Sequence, residues 1–328
     1  MITLTSSQIE NFSRFVSEHD FFLVSGHKEP DGDSLSSCLC IAKILEKNNK
    51  PYQLLSAGPF KRPEIRKFEP LFKKRYQPDF IHSTYKKMGL IIVDCSEKER
   101  LGDVVTNPDK YETFIIDHHK TSTSDDNNSI IIPESPATAF ILQLLYEALI
   151  GKMDSEIANT LFFGMCTDTG YFRFLDQNSA DFFTATSRLV EAGANPRQTY
   201  NEITSGKAFS TRKLLGLMLD RAEQKFNGKL IYTWETLEDT QKYGLDGRDS
   251  DSLYQLLLSV ENVQAVLFIR QDTDKTCTAG FRSIDSIDVS AIAAKFGGGG
   301  HKNAAGLSTN GKIHELLPAI LDEFSKIL

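Results

Sequence analysis

Three short apolar runs in the first half of the chain each end at acidic or histidine side chains. The runs cover residues 21–25, 89–94 and 113–119, and their content of Ile, Val, Leu and Phe is typical of buried strands. Helical patterns alternate with the strand patterns, which favours a mainly parallel sheet. This feature restricts the first part of the chain to the α/β class, as a doubly wound fold.

The side chains at these strand ends have the chemistry of metal ligands. The carboxyl ends of strands in a doubly wound sheet align along one edge, where ligands bind. Carboxylates this close repel each other unless a cation or a shared proton separates them, and neighbouring imidazoles favour a divalent metal. Residues 27–33 alone would equally suit a solvated turn that caps a helix. The side chains predicted to converge are His27, Asp31, Asp33, Asp94, His118 and His119.

The tripeptide Asp168-Thr169-Gly170 offers one more carboxylate. The same tripeptide occurs in aspartic proteases, but residues 162–166 before it read as a helix rich in small residues. A protease would also leave the histidines at the strand ends without a role. We therefore assign Asp168 to the predicted metal cluster.

The composition limits the classes of partner. The chain has 328 residues and a formal net charge of −7, whereas proteins that follow long nucleic acids usually show a basic surface. We therefore expect a short phosphate substrate, bound at one local site. The sequence has no long apolar run and no basic-then-apolar start, which predicts a cytoplasmic protein without a membrane span. The five cysteines, an odd number, are expected to be free and mostly buried thiols.

The length favours two domains rather than one. We predict a first domain over residues 1–195, a charged helical connector over 196–227 and a smaller α+β domain over 228–328. The second domain contains four consecutive glycines followed by His301. Bare glycine runs are usually linkers, but an apolar helix precedes this one and a compact small-residue stretch follows it.

The glycine run and a nearby strand end predict a phosphate-binding site. Glycine lets backbone N–H groups approach an anion closely, and an arginine at a strand end offers a planar fork to phosphate. The residues assigned to substrate binding are Arg282, Ser283, Gly298, Gly299, Gly300 and His301.

These motifs, in this order, resemble the DHH phosphoesterase superfamily. The matching elements are His-x3-Asp-x-Asp at residues 27–33, a lone strand-end Asp, Asp-His-His at 117–119 and Asp-Thr-Gly at 168–170. Residues 281–283 and 297–301 resemble its DHH-associated C-terminal domain. Length, second-domain type and the stretch 168–174 are most similar to the group of bifunctional oligoribonucleases and 3′-phosphoadenosine-5′-phosphate phosphatases.

The resemblance implies a site with two divalent cations, most often manganese. One cation would be held by His27, Asp31 and Asp94, and the other by Asp33, Asp94, His118 and Asp168, with Asp94 as the bridge. His119 would face the substrate phosphate, Asp117 would orient the imidazoles, and Arg282, Ser283 and His301 would hold the substrate. The sequence departs from the family at Ser36, where glycine is common, and this puts a local substrate contact in doubt.

The implied activity is hydrolysis of short oligoribonucleotides to mononucleotides and of 3′-phosphoadenosine 5′-phosphate to AMP. The site is expected in a cleft between the two domains, which would favour short substrates, and homodimer formation stays open. Alternative hydrolases are a cyclic or linear dinucleotide phosphodiesterase, a single-strand exonuclease, a pyrophosphatase and an exopolyphosphatase. The alternative outside the enzymes is a nucleotide-binding regulator.

Overall fold

Five parallel strands form the sheet of the first of two compact units, Met1–Gly206. The structure, a computed structural model, describes residues 2–78, 85–119, 127–244, 249–284 and 287–328. The strands are β1 (Phe21–Ser25), β2 (Tyr52–Leu55), β3 (Met88–Val93), β4 (Glu112–Asp117) and β5 (Ser129–Ile131). Their order across the sheet is β2-β1-β3-β4-β5, and every pairing is parallel.

Alternate residues of these strands belong to two separate apolar clusters, one on each face of the sheet. Phe22 and Val24 of β1 pack in the larger cluster, while Phe21 and Leu23 pack in the smaller one. Both faces are therefore buried, which explains why all five residues of β1 are apolar or small and inaccessible.

Helices cover the face of the larger cluster. They are α1 (Ser6–Glu18), α2 (Gly32–Lys47), α3 (Thr138–Leu149), α4 (Ser155–Asp168), α5 (Ala180–Glu191) and α6 (Pro196–Thr204). The 3-10 helix Pro63–Leu71 adds Ile65 to this cluster, and further 3-10 helices lie at Lys98–Leu101 and Pro108–Lys110. The smaller cluster is closed by Tyr76, Leu101, Val104 and Val105, which lie in 3-10 or irregular chain. In the described ranges no helix is both long and apolar enough to cross a bilayer.

The second unit, Lys207–Leu328, contains a mixed six-stranded sheet. Its strands are β6 (Glu223–Lys225), β7 (Leu230–Glu235), β8 (Ala265–Thr273), β9 (Thr276–Ser283), β10 (Gly299–His301) and β11 (Ala304–Asn310), in the order β10-β11-β9-β8-β7-β6. Its helices are α7 (Phe209–Asp220), α8 (Leu237–Tyr243), α9 (Ser250–Leu258), α10 (Val289–Lys295) and α11 (Ile313–Phe324). The α/β first unit and the α+β second unit confirm the fold class.

The boundary between the units falls inside the stretch predicted to be a connector. Helix α6 belongs to the first unit, where the Tyr171 hydroxyl donates to the carbonyl of Pro196 at 2.7 Å. Helix α7 belongs to the second unit, because Leu214, Leu215 and Met218 are buried in one of its apolar clusters. Residues 196–227 are thus divided between two packed bodies.

The cysteine expectation is confirmed. All five cysteines are free and buried. Burial raises the pKa of each thiol, because the thiolate would lose its hydration.

Candidate metal centre

The loop between β1 and α2 supplies the first three polar groups. The strand ends at Ser25, and α2 begins at Gly32 with Asp31 as its N-cap, whose Oδ1 accepts from the backbone N–H of Ser34 at 3.0 Å. This cap leaves the second oxygen of Asp31 beside His27, with Nε2 and Oδ2 3.8 Å apart. Asp33 lies in the first turn of α2 and is fully buried.

Asp33 is fixed by the N-terminus of another helix. Its two carboxylate oxygens accept hydrogen bonds from the backbone N–H groups of Thr138 and Ala139, at 2.7 and 2.8 Å. These are the first residues of α3, and helix N-termini carry unsatisfied N–H groups that favour an anion. The contact joins two helices through one buried carboxylate.

Asp94 lies at the centre of the site, directly after β3. Its Oδ2 is 3.3 Å from Nε2 of His27, and its Oδ1 is 3.6 Å from Nε2 of His118. The hydroxyl of Thr138 donates to the same Oδ1 at 3.0 Å. The carboxylate is 3% exposed, so it is shared between two imidazoles in a nearly dry environment.

The Asp-His-His segment follows β4. Asp117 is buried, and its Oδ1 accepts from the backbone N–H groups of His118 and His119 and from Nδ1 of His119, the last at 2.7 Å. Nε2 of His118 lies 3.4 Å from Oδ2 of Asp168, the last residue of α4. A helix end therefore brings the sixth predicted ligand to the strand ends.

The six residues predicted as metal ligands lie together. The candidate ligand atoms of these six residues and of His119 form three overlapping groups, and within each group all atoms lie within 4.8 Å of one another. The groups are His27 with Asp31 and Asp94, Asp33 with His118 and Asp168, and Asp94 with His118 and His119. Asp94 thus groups with His27 and Asp31, while Asp33 groups with His118 and Asp168; the assignment of these residues to two cations stays a prediction.

The histidine tautomers suit a cation. Nδ1 of His27 lies 2.9 Å from the carbonyl of Lys28, and Nδ1 of His118 lies 3.0 Å from the carbonyl of Ser135. A carbonyl only accepts, so Nδ1 of each ring carries a hydrogen, and Nε2 is the atom that faces the carboxylates and can bind a cation when the ring is neutral. Neutral imidazoles oriented in this way by backbone carbonyls are typical of metal ligands.

The pKa values of two aspartates in the cluster indicate that a positive charge would stabilise it. Burial and the charges of Asp94, Asp168 and Asp31 raise the pKa of Asp33 well above its usual range. Burial, followed by the charges of Asp94 and Asp31, raises the pKa of Asp168 to about 6, although His118 opposes the shift. A divalent cation among these groups would offset the repulsion that raises both values.

For His27 the neighbouring carboxylates favour the charged form of the side chain. Burial by itself lowers the pKa of an imidazole, but the hydrogen bond and charge of Asp94, with the charge of Asp31, raise it to about 9. The ring must give up its proton to bind a cation, so protons and metal compete for His27.

Two of the predicted substrate residues lie at the end of β9. The guanidinium of Arg282 stacks 4.6 Å from the ring centroid of Tyr254, and its Nη1 donates to the carbonyl of Phe281 at 2.9 Å. The hydroxyl of Ser283 is buried, donates to the carbonyl of Ile287 at 2.8 Å and accepts from the amide of Asn303 at 3.0 Å. Ser283 therefore has a structural role, and its predicted contact with substrate stays a prediction.

The glycine run is partly an edge strand. Gly299–His301 forms β10, which is exposed and pairs antiparallel with Ala304–Gly306 of β11. A Cβ at Gly298 would lie 2.3 Å from the carbonyl oxygen of Gly306, and one at Gly300 would lie 2.5 Å from that of Ala304. Close approach of two backbones thus requires glycine at these positions.

Sequence reasoning missed Thr138 and Tyr254. Thr138 lies in the helical stretch predicted from residue 136, and Tyr254 lies in the one predicted from residue 251. Neither carries a local signal, because their roles depend on which residue packs opposite them.

Comparison with known proteins identifies two family domains in this chain. The DHH family, N-terminal domain, matches residues 22–165, which contain all the candidate ligands except Asp168. The DHHA1 domain matches residues 227–328. The two matches follow one another along the chain and cover most of both units.

Relatives and a solved structure cover nearly the whole chain. The bifunctional oligoribonuclease and PAP phosphatase NrnA of Thermus thermophilus is 28% identical over 92% of this chain and 90% of its own length. NrnA of Bacillus subtilis is 23% identical, with coverage of 90% and 91%. The crystal structure of an exopolyphosphatase-related protein from Bacteroides fragilis has the same fold, with a TM-score of 0.82, 24% identity and coverage of 98% and 97%. The chain, with a DHH N-terminal domain followed by a DHHA1 domain, belongs to the DHH family.

Proposed function

We propose that this protein is a metal-dependent phosphoesterase that hydrolyses short oligoribonucleotides to mononucleotides and 3′-phosphoadenosine 5′-phosphate to AMP. The observation that carries the proposal is the convergence of four aspartates and two histidines, from separate strand and helix ends, in overlapping groups whose ligand atoms lie within 4.8 Å of one another. The substrate class is supported by the likeness to two NrnA proteins over nearly their full length.

Two divalent cations fit the donor set. One would be held by His27, Asp31 and Asp94, and the other by Asp33, Asp94, His118 and Asp168. The carboxylate oxygens suit manganese, which we propose as the ion. When bound, such a pair activates water and offsets the charge that develops on a phosphoryl group.

His119 is proposed to contact the phosphoryl group. Its side chain is 37% exposed, and its Nδ1 is bound to Asp117, which leaves Nε2 on the opposite side of the ring. The hydrogen bond to Asp117 raises the pKa of His119, which favours the imidazolium over the neutral ring. A protonated ring so oriented donates to an oxygen that becomes more negative during the reaction.

The DHHA1 domain is proposed to bind the substrate. Arg282, Ser283 and His301, with the backbone of Gly298, Gly299 and Gly300, would contact phosphate or sugar groups. The negative net charge supports short substrates, because long nucleic acids bind mainly through many phosphate contacts.

The proposal is tested by a substrate panel, measured with manganese and after chelation. We expect mononucleotides from RNA of two to five nucleotides and AMP from 3′-phosphoadenosine 5′-phosphate, with both activities lost on chelation. Faster hydrolysis of cyclic dinucleotides, pyrophosphate or polyphosphate would replace the proposed substrate class. Binding of these nucleotides without any product would indicate a regulator.

Asp94→Asn tests the shared ligand. The amide keeps the shape but removes the negative charge between His27 and His118, so we expect more than about a 100-fold loss of turnover, above the range for outer residues of metal sites. The matched control is Asp109→Asn, because that carboxylate is 80% exposed and pairs with Lys98 on the surface. Near-normal turnover of Asp94→Asn with manganese would contradict the two-metal assignment.

A further inference from the structure

The five residues after Asp168 contain the most unusual backbone near the candidate metal centre. Gly170, Tyr171 and Phe172 have consecutive φ values of 57°, 56° and 73°. Left-handed conformations are natural for glycine, but two successive aromatic residues adopt them only at a cost in conformational free energy. Strained segments cluster at functional sites, which suggests that this one holds a functional side chain in position.

Specific contacts hold the strained segment in place. The backbone N–H of Tyr171 donates to the carbonyl of Cys166 at 2.7 Å, and the Tyr171 hydroxyl reaches Pro196. The ring of Phe172 packs against Phe162 and Phe182, with centroids 6.1 and 6.2 Å apart. The segment is therefore anchored on both sides of its backbone.

The group that this segment presents is Phe174, whose surface is 72% exposed. Its ring lies against the backbone of Gly170, because a Cβ at Gly170 would come within 2.6 Å of the ring. Arg173 flanks the ring, with its guanidinium 5.5 Å from the centroid and its Nε donating to the carbonyl of Gly170 at 2.7 Å. An apolar ring and a cation are thus fixed side by side, although an exposed phenylalanine would otherwise favour the interior.

This pair lies close to the carboxylates. Gly170 is two residues from Asp168, so their Cα atoms are at most about 7 Å apart. Oδ2 of Asp168 is itself 3.4 Å from Nε2 of His118. Phe174 and Arg173 are therefore within the reach of one nucleotide whose phosphate is at the cluster.

We propose that Phe174 is the stacking platform for the nucleobase of the nucleotide that is cleaved, with Arg173 holding the ring and attracting the neighbouring phosphate. The proposal rests on the proposed function, in that it takes the phosphate to bind at the metal cluster. Stacking on an aromatic ring tolerates any base, because every base has a π-face. The platform would select nucleotides over other phosphate esters without reading sequence.

The test separates binding from catalysis. With manganese present, calorimetry gives the affinities of AMP and of ribose 5-phosphate, which lacks the base. For the unaltered protein we expect AMP to bind about tenfold more tightly, the scale of one stacked base. Phe174→Ala should remove this preference and leave ribose 5-phosphate binding unchanged, while Phe174→Trp should restore it.

Phe209→Ala is the matched control, since Phe209 is 80% exposed at the start of α7 and should keep the preference. If Phe174→Ala retains the preference for AMP, or if its affinities for AMP and ribose 5-phosphate fall by the same factor, the inference is overturned. If the protein fails to hydrolyse oligoribonucleotides but loses its preference for AMP in Phe174→Ala, the proposed function fails and the platform stands. A change from dimer to monomer in Phe174→Ala, without a change in AMP preference, would assign the ring to a subunit interface instead.

Discussion

Asp94 adopts a left-handed backbone conformation, with a φ of 60°, immediately after a parallel strand. Non-glycine residues seldom adopt this conformation without a functional reason. Here the turn directs the carboxylate between His27 and His118, and the backbone N–H of Asp94 still reaches the carbonyl of Ile116 at 2.9 Å. The residue with this unfavourable backbone conformation is therefore also the one proposed as a ligand of both cations.

Thr138 should raise the affinity of the site for manganese through its hydrogen bond to Asp94, without contacting the cation itself. Replacing it by valine keeps the shape but removes the hydroxyl that donates to Oδ1 of Asp94. Because partners of metal ligands typically contribute 10- to 100-fold, we expect manganese affinity to fall by about that factor. The measurement is a manganese titration by calorimetry. Thr138→Ser keeps the hydroxyl and should retain most of the affinity, so equal losses in the two variants would contradict this role.

Most of the acids and histidines could be predicted from the sequence because they follow strand patterns and parallel strands align their ends, whereas Asp168 follows a helix and was assigned from its Asp-Thr-Gly tripeptide. Thr138 could not, because the docking of α3 onto Asp33 depends on tertiary packing rather than on a local pattern. For the same reason, nothing in the sequence around Tyr254 indicates that it stacks on Arg282. Sequence reasoning thus identified the charged groups and missed the neutral residues that orient them.

At the scale of elements, the apolar patterns located strands β1 to β4 to within two residues at each end, since buried strands of a parallel sheet are continuous apolar runs. The three-residue strands β5, β6 and β10 are too short to show any period. Strand β10 is also exposed and rich in glycine, so only its partner β11 defines it. The glycine run that was predicted to bind an anion is therefore also an edge of the sheet.

Helices α2, α3 and α4 meet at Gly164, and this contact makes a prediction about stability. A Cβ at Gly164 would lie 2.8 Å from Cβ of Ser36 and 3.0 Å from Cβ of Ala139. We expect Gly164→Ala to lower the free energy of unfolding by about 1–3 kcal/mol through overpacking. Ser36→Gly removes the closest atom and should recover part of this loss in the double variant. Ser36, the departure from the family pattern, thus serves helix packing.

The control for this prediction is Gly216→Ala in α7, where the added methyl group meets nothing within 4 Å. There we expect a gain of about 0.4–1 kcal/mol, because alanine restricts the unfolded chain. Denaturant unfolding measures the free energy of unfolding of the unaltered protein, of the three single variants and of the double variant. Equal effects at Gly164 and Gly216, or strict additivity of Gly164→Ala and Ser36→Gly, would argue against the close contact.

At the scale of the whole molecule, each unit has its own buried apolar clusters, and all candidate cation ligands belong to the first unit. Manganese should therefore stabilise the first unit. At 100 times the dissociation constant the gain is about 2.7 kcal/mol, or about 5–10 °C in melting temperature for a domain of this size. Differential scanning calorimetry with and without manganese measures the shift, and Asp94→Asn should abolish it.

The single tryptophan provides an internal comparison, because Trp234 lies on β7 in the second unit. We expect its fluorescence transition to shift less with manganese than the transition of the first unit. If manganese shifted only the transition reported by Trp234, the cation would bind the second unit, which would contradict the prediction.

The parallel order β2-β1-β3-β4-β5 has a kinetic consequence. The candidate ligands follow β1, β3 and β4 and the end of α4, so the chain must align three strands and one helix before a cation can be gripped. Such distant pairings form late and slowly during folding. A bound cation should therefore change the folding rate little. Its stabilising effect should appear as a slower unfolding rate. Its presence would lengthen the lifetime of the native state while refolding keeps its metal-free speed.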